Sequence, residues 1–110
     1  MTARTFEDFS IGEIWQSEEL EITEAEIVNF GRANDPQPIH CDPIAAANGR
    51  FKGLIASGWQ IAALSMRLFI ESGGYGETPV VGMGIDELRW KKPVRPGDRV
   101  HVVREVIDKH

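Results

Sequence analysis

FGRANDPQPIHCDPIAAANGRFKGLIASGW, residues 30–59, holds the densest chemistry of this chain and the start of its longest apolar run. It sets an acid, Asp35, five residues before a histidine, His40, on a segment stiffened by Pro36 and Pro38. It then passes a glycine-containing turn and enters an apolar run at Ser57, Gly58 and Trp59. An acid, a base and a helix start this close in sequence point to a catalytic site. The acid and base can share a water, and the amides at a helix N-terminus can hold a developing oxyanion.

On the N-terminal side, residues 14–22 alternate imperfectly and read as a first strand. Thr23-Glu-Ala-Glu26 is a capping box, so a helix is predicted over residues 24–33. Asn34-Asp35-Pro36 ends it, because the residue before a proline avoids the helical region. The two prolines are expected to keep residues 35–39 extended.

On the C-terminal side, Asp42 as N-cap and Pro43 as first helical residue open a short helix. Asn48-Gly49, a pair that tolerates the left-handed region, closes it. After a loop over residues 50–56, Ser57 is expected to cap a helix over residues 58–72. Apolar residues surround most of its axis and leave only Gln60, Arg67 and Glu71 as a polar stripe, the pattern of a buried helix. Residues 80–90 read as a strand whose Gly82 and Gly84 mark close packing. Residues 93–98, PVRPGD, form a turn, and residues 99–107 read as another strand. Three strands around one buried helix leave sheet edges open.

A length of 110 residues allows one domain, residues 1–110. With 42% hydrophobic and 26% charged residues the chain is globular rather than disordered. The net charge of −5 and the scattered Lys and Arg argue against a nucleic-acid partner. A local group, Arg89, Lys91, Lys92 and Arg95, can still meet a phosphate. The single cysteine excludes an internal disulfide and fits a reducing, cytoplasmic setting. No signal peptide is expected in MTARTFEDF, and no apolar run is long enough to span a bilayer, so no membrane association is expected.

Each candidate residue also has a plain reading. Asp35 alone would be a helix stop, and His40 alone a satisfied half-buried histidine; the pair is what argues for function. Asp42 reads as a cap, and His40-x-Asp42 is too short a motif for a metal, so none is expected. Cys41 follows His40, but adjacent extended side chains point apart, which argues against a Cys–His nucleophile and for a small core residue. Ser57 lies in Ile-Ala-Ser-Gly-Trp, without the first glycine of G-x-S-x-G, which argues against a serine hydrolase and leaves capping as its simplest role. Gly58 either permits close packing or offers an amide where the helix dipole is positive.

These residues resemble the signature of the MaoC-like dehydratases, which include the (R)-specific enoyl-CoA hydratases. Asn34-Asp35-Pro36-Gln37-Pro38-Ile39-His40 is similar to the family's G-D-x-N-P-[IL]-H. The small residues Ala45, Ala46 and Ala47 follow it, then Gly53 and Ser57-Gly58. Leu88-Arg89-Trp90-x-x-Pro-Val-x-Pro-Gly-Asp is similar to the later F-x-x-P-V-x-x-G-D. Gln37 stands for the usual Asn, Asn34 for Gly or Ser, and Ser57 where many members have His. The resemblance implies an α+β hot-dog fold, an antiparallel sheet around a long central helix. It places the closing strands beyond His110, about 30–40 residues more for a domain of ordinary size. It implies hydration of a trans-2-enoyl thioester by Asp35 and His40, with Gly58 and Ser57 at the oxyanion and substrate end. No cofactor is expected beyond the coenzyme A or acyl-carrier thioester that is the substrate. A homodimer or dimer of dimers is implied as well. A hot-dog thioesterase would not need the Asp35–His40 spacing. A non-catalytic acyl-binding subunit would be favoured by loss of either residue, and both are present.

Overall fold

The computed structural model describes residues 4–74, 76, 77, 79 and 81–110. After a 3-10 turn at Phe6–Asp8 the elements are β1 (Ile14–Gln16), β2 (Leu20–Glu21), α1 (Glu24–Asn34), α2 (Pro38–Cys41), α3 (Pro43–Ala47), α4 (Gly58–Glu71), β3 (Arg99–Val100) and β4 (Val103–Glu105). Contacts gather into two units. Residues 20–64 and 89–100 form one; the described parts of 1–19, 65–88 and 101–110 form the other, and α4 contributes to both. Among the described residues no helix is long and apolar enough to cross a membrane.

In the first unit the capping box forms as the sequence predicts. Thr23 Oγ1 accepts the Glu26 amide at 3.2 Å, and Glu26 Oε1 accepts the Thr23 amide at 3.2 Å. Helix α1 stops at Asp35, whose backbone (φ −153°, ψ 73°) is no longer helical before Pro36. Asp42 caps α3, its Oδ1 accepting the amides of Ile44 and Ala45 at 3.1 Å each. The core is Ile22 (1% exposed), Ile27 (0%) and Ala56, with Ile61, Leu64, Val94 and Val100 packed against it. The β2–β3 pair aligns Leu20 with Val100 and Glu21 with Arg99. The turn at residues 95–98 leads into it. Pro96 occupies its second place and Gly97 its third with φ +89°, the left-handed position that a type II turn reserves for glycine. The Asp98 amide closes it on the Arg95 carbonyl at 3.0 Å.

In the second unit β1 pairs antiparallel with β4, Ile14 opposite Glu105 and Gln16 opposite Val103. Phe69 of α4 is buried, meets Trp15 edge-on at 4.7 Å and lies under the Arg104 guanidinium at 3.7 Å.

Several expectations are corrected. The strand over 14–22 is broken at Ser17. Its amide donates to the Val102 carbonyl at 2.9 Å, while its hydroxyl accepts the Val102 amide at 2.8 Å. A side chain thus takes a place in the ladder that a carbonyl would hold. Residues 17–19 separate β1 from β2, but only 101 and 102 separate β3 from β4, the signature of a bulge. The same interruption splits the strand expected over 99–107. Residues 38 and 39 are not extended: Pro38 starts α2, since its fixed φ suits a first helical position. Asn48 closes α3 from the right-handed region, with Nδ2 on the Ile44 carbonyl, rather than from the left-handed one.

Residues 81–90 are not a strand, and Val80 lies outside the described residues. Alternation selects a face, but a strand exists only through ladder bonds, and among the described residues none joins this segment to a neighbour. Glu87, at φ +55°, also turns the chain out of the extended region. A Cβ at Gly82 or Gly84 would meet nothing within 4 Å, so neither glycine serves close packing. Helix α4 is not buried all round either: Trp59 is 60% exposed, and Met66 and Ile70 face outward, whereas the polar Gln60 is 8% exposed. Leu64 is half-buried, so Leu64→Ala should cost about 1–2 kcal/mol in denaturant melts, below the ~2–5 kcal/mol of an enclosed leucine. A loss above that range would mean that α4 is enclosed at Leu64.

Candidate active site

The turn between α1 and α2 carries the acid, and α2 carries the base. His40 Nε2 lies 3.2 Å from Asp35 Oδ2, so the structure brings the predicted pair together. Helix α2 presents His40 because Pro38 starts its single turn and the chain crosses α1 at the buried Gly31. There a Cβ would sit 2.5 Å from the His40 carbonyl oxygen. The imidazole is buried, and its Nδ1 lies 2.7 Å from the Ile55 carbonyl. A carbonyl only accepts, so Nδ1 carries a proton. Nε2 is thereby the nitrogen turned toward Oδ2, the one placed to pass a proton to or from a ligand.

Two side chains hold the acid. Gln37 Nε2 donates to Asp35 Oδ1 at 2.9 Å, and Ser57 Oγ donates to Asp35 Oδ2 at 2.9 Å. The Gln37 bond, then the Ser57 bond, hold the Asp35 carboxyl below its ordinary range; partial burial opposes them and His40 adds to them. A lowered folded-state value contributes stability above the unfolded value, and that stability is lost as pH falls through the folded one. Gln37→Leu should therefore move the Asp35 titration upward, toward its ordinary value, and begin the acid loss of stability at higher pH. Carbon-13 titration of the Asp35 carboxyl checks this; an unmoved or lowered midpoint contradicts it.

The pair lies on the wall of a cavity of about 490 Å³, with Gly58, Trp59 and Trp90 among its other lining residues. Trp90 packs directly over Gly58, where a Cβ would fall 2.4 Å from the indole, and meets Trp59 edge-on at 5.9 Å. Among the described residues no acceptor takes the Gly58 amide, the first of α4. Ser57 is fully buried and does not line the cavity. Its carbonyl accepts the Gln60 and Ile61 amides, as a cap position does, while its hydroxyl serves Asp35.

The supporting roles of Gln37, Ser57 and Ile55 were not read from the sequence. Gln37, two residues from Asp35 between prolines, carried a usable signal. The Ser57 and Ile55 contacts span 22 and 15 residues and carried none. Cys41 shares the helical turn with His40, where successive side chains diverge. Its Sγ meets the Gln37 carbonyl at 3.2 Å, and it is half-buried rather than a core residue. Among the described residues no three His, Cys, Asp or Glu side chains gather as a metal site.

The model of the MaoC like domain family matches residues 9–110. The uncharacterized protein YdeM of Bacillus subtilis (strain 168) is 38% identical over 103 residues, 94% of this chain and 73% of that protein. The crystal structure of the MaoC-like dehydratase from Rhodospirillum rubrum superposes with a TM-score of 0.80 at 42% identity, covering 88% of this chain and 66% of that one. The R-hydratase PhaJ1 from Pseudomonas aeruginosa, in its unliganded form, superposes with a TM-score of 0.76 at 27% identity, covering 96% of this chain and 66% of that one.

Proposed function

The chain belongs to the family of MaoC-like domains and has the α+β hot-dog fold, and from that premise we propose that it hydrates trans-2-enoyl thioesters reversibly to 3-hydroxyacyl thioesters. The observation that carries this reading is the 3.2 Å approach of Asp35 to His40 on the wall of a cavity that also holds the start of α4. The names of the Rhodospirillum dehydratase and the Pseudomonas R-hydratase support it.

In the hydration direction a water on the cavity side is bonded to both Asp35 and an Nε2 free of its proton. The Asp35 carboxylate, kept ionised by Gln37 and Ser57, orients the water, and Nε2 takes its proton as the water oxygen bonds to C3. The C2=C3 electron pair moves toward the thioester carbonyl. The Gly58 amide stabilises the enolate oxygen, a donor worth about 3–4 kcal/mol in comparable sites. The pair then holds the proton between Nε2 and Oδ2 and returns it to C2. One water is added, and the protein regains its starting state. Dehydration reverses each step.

The carrier in this reading is coenzyme A or an acyl-carrier arm. The lone Cys41 suits a reducing cytoplasm. Exposed Trp59, Met66 and Ile70 support a homodimer or a dimer of dimers, which light scattering checks. A panel of enoyl-CoA chain lengths, followed by loss of the conjugated thioester's ultraviolet absorbance, tests the activity. Release of free thiol without formation of a 3-hydroxyacyl product would make the protein a thioesterase instead.

A further inference from the structure

We propose that Gln60 is a positioning residue for the acid: its side-chain oxygen competes with Asp35 for the hydroxyl of Ser57, so that this hydroxyl either anchors the carboxylate or closes a cap on α4. The proposal rests on the hydratase reading only for what the acid does in turnover.

The same capping pattern occurs twice in the chain with different outcomes. Thr23 and Glu26 stand at the cap and third helical positions of α1, Ser57 and Gln60 at those of α4. In α1 every group of the pattern is spent. Glu26 Oε1 accepts the Thr23 amide at 3.2 Å and the Thr23 hydroxyl at 2.8 Å, and Thr23 Oγ1 accepts the Glu26 amide at 3.2 Å. In α4 none of these bonds forms. The Ser57 hydroxyl goes to Asp35 Oδ2 at 2.9 Å, and the Gln60 amide falls back on the Ser57 carbonyl at 3.0 Å. Two complementary groups are left over. The amide of Ser57, a fully buried residue, meets no acceptor among the described residues. Gln60 is 8% exposed, and its Oε1 is the one buried side-chain nitrogen or oxygen among them without a partner.

Holding a buried donor and a buried acceptor apart costs stability. The charge on Asp35 offsets that cost, because a hydrogen bond to an ionised carboxylate is about twice as strong as a neutral one. A neutral acid has no such advantage. The Ser57 hydroxyl and amide then turn to Gln60 Oε1 and regain the box seen in α1. Gln60 therefore stabilises the protonated form of Asp35, and the acid loosens from its anchor as it takes a proton. His40, Arg89, Lys91 and Lys92 are the charged or titratable groups that share the cavity wall with Asp35, and their fields are common to both arrangements.

The test reads the Ser57 amide by NMR at neutral pH in four proteins: wild type, Asp35→Asn, Gln60→Met and the double variant. Asp35→Asn removes the charge, and methionine keeps the size of glutamine without its acceptor. From wild type to Asp35→Asn, the Ser57 amide proton should move downfield and exchange about 2- to 10-fold more slowly, the scale of one net hydrogen bond. With methionine at position 60 neither change should appear, and the Thr23 amide of α1 should stay unmoved in all four. An indifferent Ser57 amide overturns the proposal, as does a response that persists with methionine. Gln60→Met should fold at least as well as wild type, since it removes an unpaired buried acceptor. Gln60→Leu repeats the comparison, and loss of the fold with both side chains also overturns the proposal, because it makes Gln60 a support of the fold rather than of the acid. These outcomes need no turnover. They stand even where no enoyl thioester is hydrated, and in that case only the hydratase reading falls. Where turnover is found, Gln60→Met should lower the acid limb of kcat/KM by about 0.3–1 pH unit, because the protonated acid loses its alternative. An unmoved or raised limb overturns the positioning role and leaves the hydratase reading intact.

Discussion

Asp35→Asn and His40→Ala should each lower turnover of the best enoyl thioester by at least ~100-fold, the usual scale for losing a general acid or base. The two differ in what else they do. The asparagine side chain keeps the size of the original and an oxygen for Gln37 but gives up the Oδ2 acceptor of the buried Ser57 hydroxyl, so a melt should register a modest loss. Its amide would donate to Nε2, however, and hold that nitrogen as an acceptor without a transferable proton. Truncating His40 removes a buried ring and strands the Ile55 carbonyl, which it meets at 2.7 Å. That variant should also lose about 1–3 kcal/mol of stability, the cost of a buried polar group without a partner. Rates are read from the conjugated thioester's absorbance and stability from denaturant melts. Near-normal turnover by either variant would remove the pair from the chemistry.

Gly31→Ala should be the most damaging change among residues that never touch substrate. A Cβ there would lie 2.5 Å from the His40 carbonyl oxygen and 2.9 Å from both its carbonyl carbon and its Cβ. All three atoms belong to the backbone or the root of the side chain, so no rotamer change relieves the clash. The higher helix propensity of alanine returns about 1 kcal/mol, but the overpacking costs about 1–3 kcal/mol, so the net loss lies between zero and about 2 kcal/mol. Turnover decides more sharply than stability. Relief requires α2 to move away from α1 by several tenths of an ångström, carrying His40 from Asp35. Because a shift of about 1 Å can cost ~100-fold, a tenfold or larger loss of kcat is expected. Gly58→Ala is the useful contrast. Its clash is with the indole of Trp90, which is 49% exposed and free to swing, so the fold should tolerate it. A Gly31→Ala protein with normal turnover would show that α2 does not depend on this crossing for its position.

The same distinction between local and distant causes separates what was legible in the chain from what was not. The capping box at Thr23 and Glu26, the Asp42 cap, the helix stop at Asp35 and the glycine turn at Gly97 all act within three residues of themselves. Each was readable because backbone sterics and a neighbouring amide decide it. The Asp35–His40 pair was readable too, since the prolines between them leave little freedom. Pro38 still defeats the expectation that two prolines mean extension, because the same fixed φ also starts a helix.

What the chain alone did not reveal depends on partners far along it. Ser17 breaks a strand through Val102, 85 residues away, and Ser57 anchors the acid across 22. Residues 81–90 alternate as a strand does, yet alternation supplies no neighbour. The apolar surface of α4 says which side chains profit from burial, not which receive it: Trp59 faces outward while Gln60 lies inside. Arg95 and Arg89 are equivalent as letters, and only the Phe51 carbonyl shows that one guanidinium is committed and the other free to meet a ligand. The sequence by itself thus determined caps, turns and the identity of the reacting pair, where covalent neighbours set the energy. Tertiary structure decided support and exposure, which arise only when distant groups share one volume and exclude water from it.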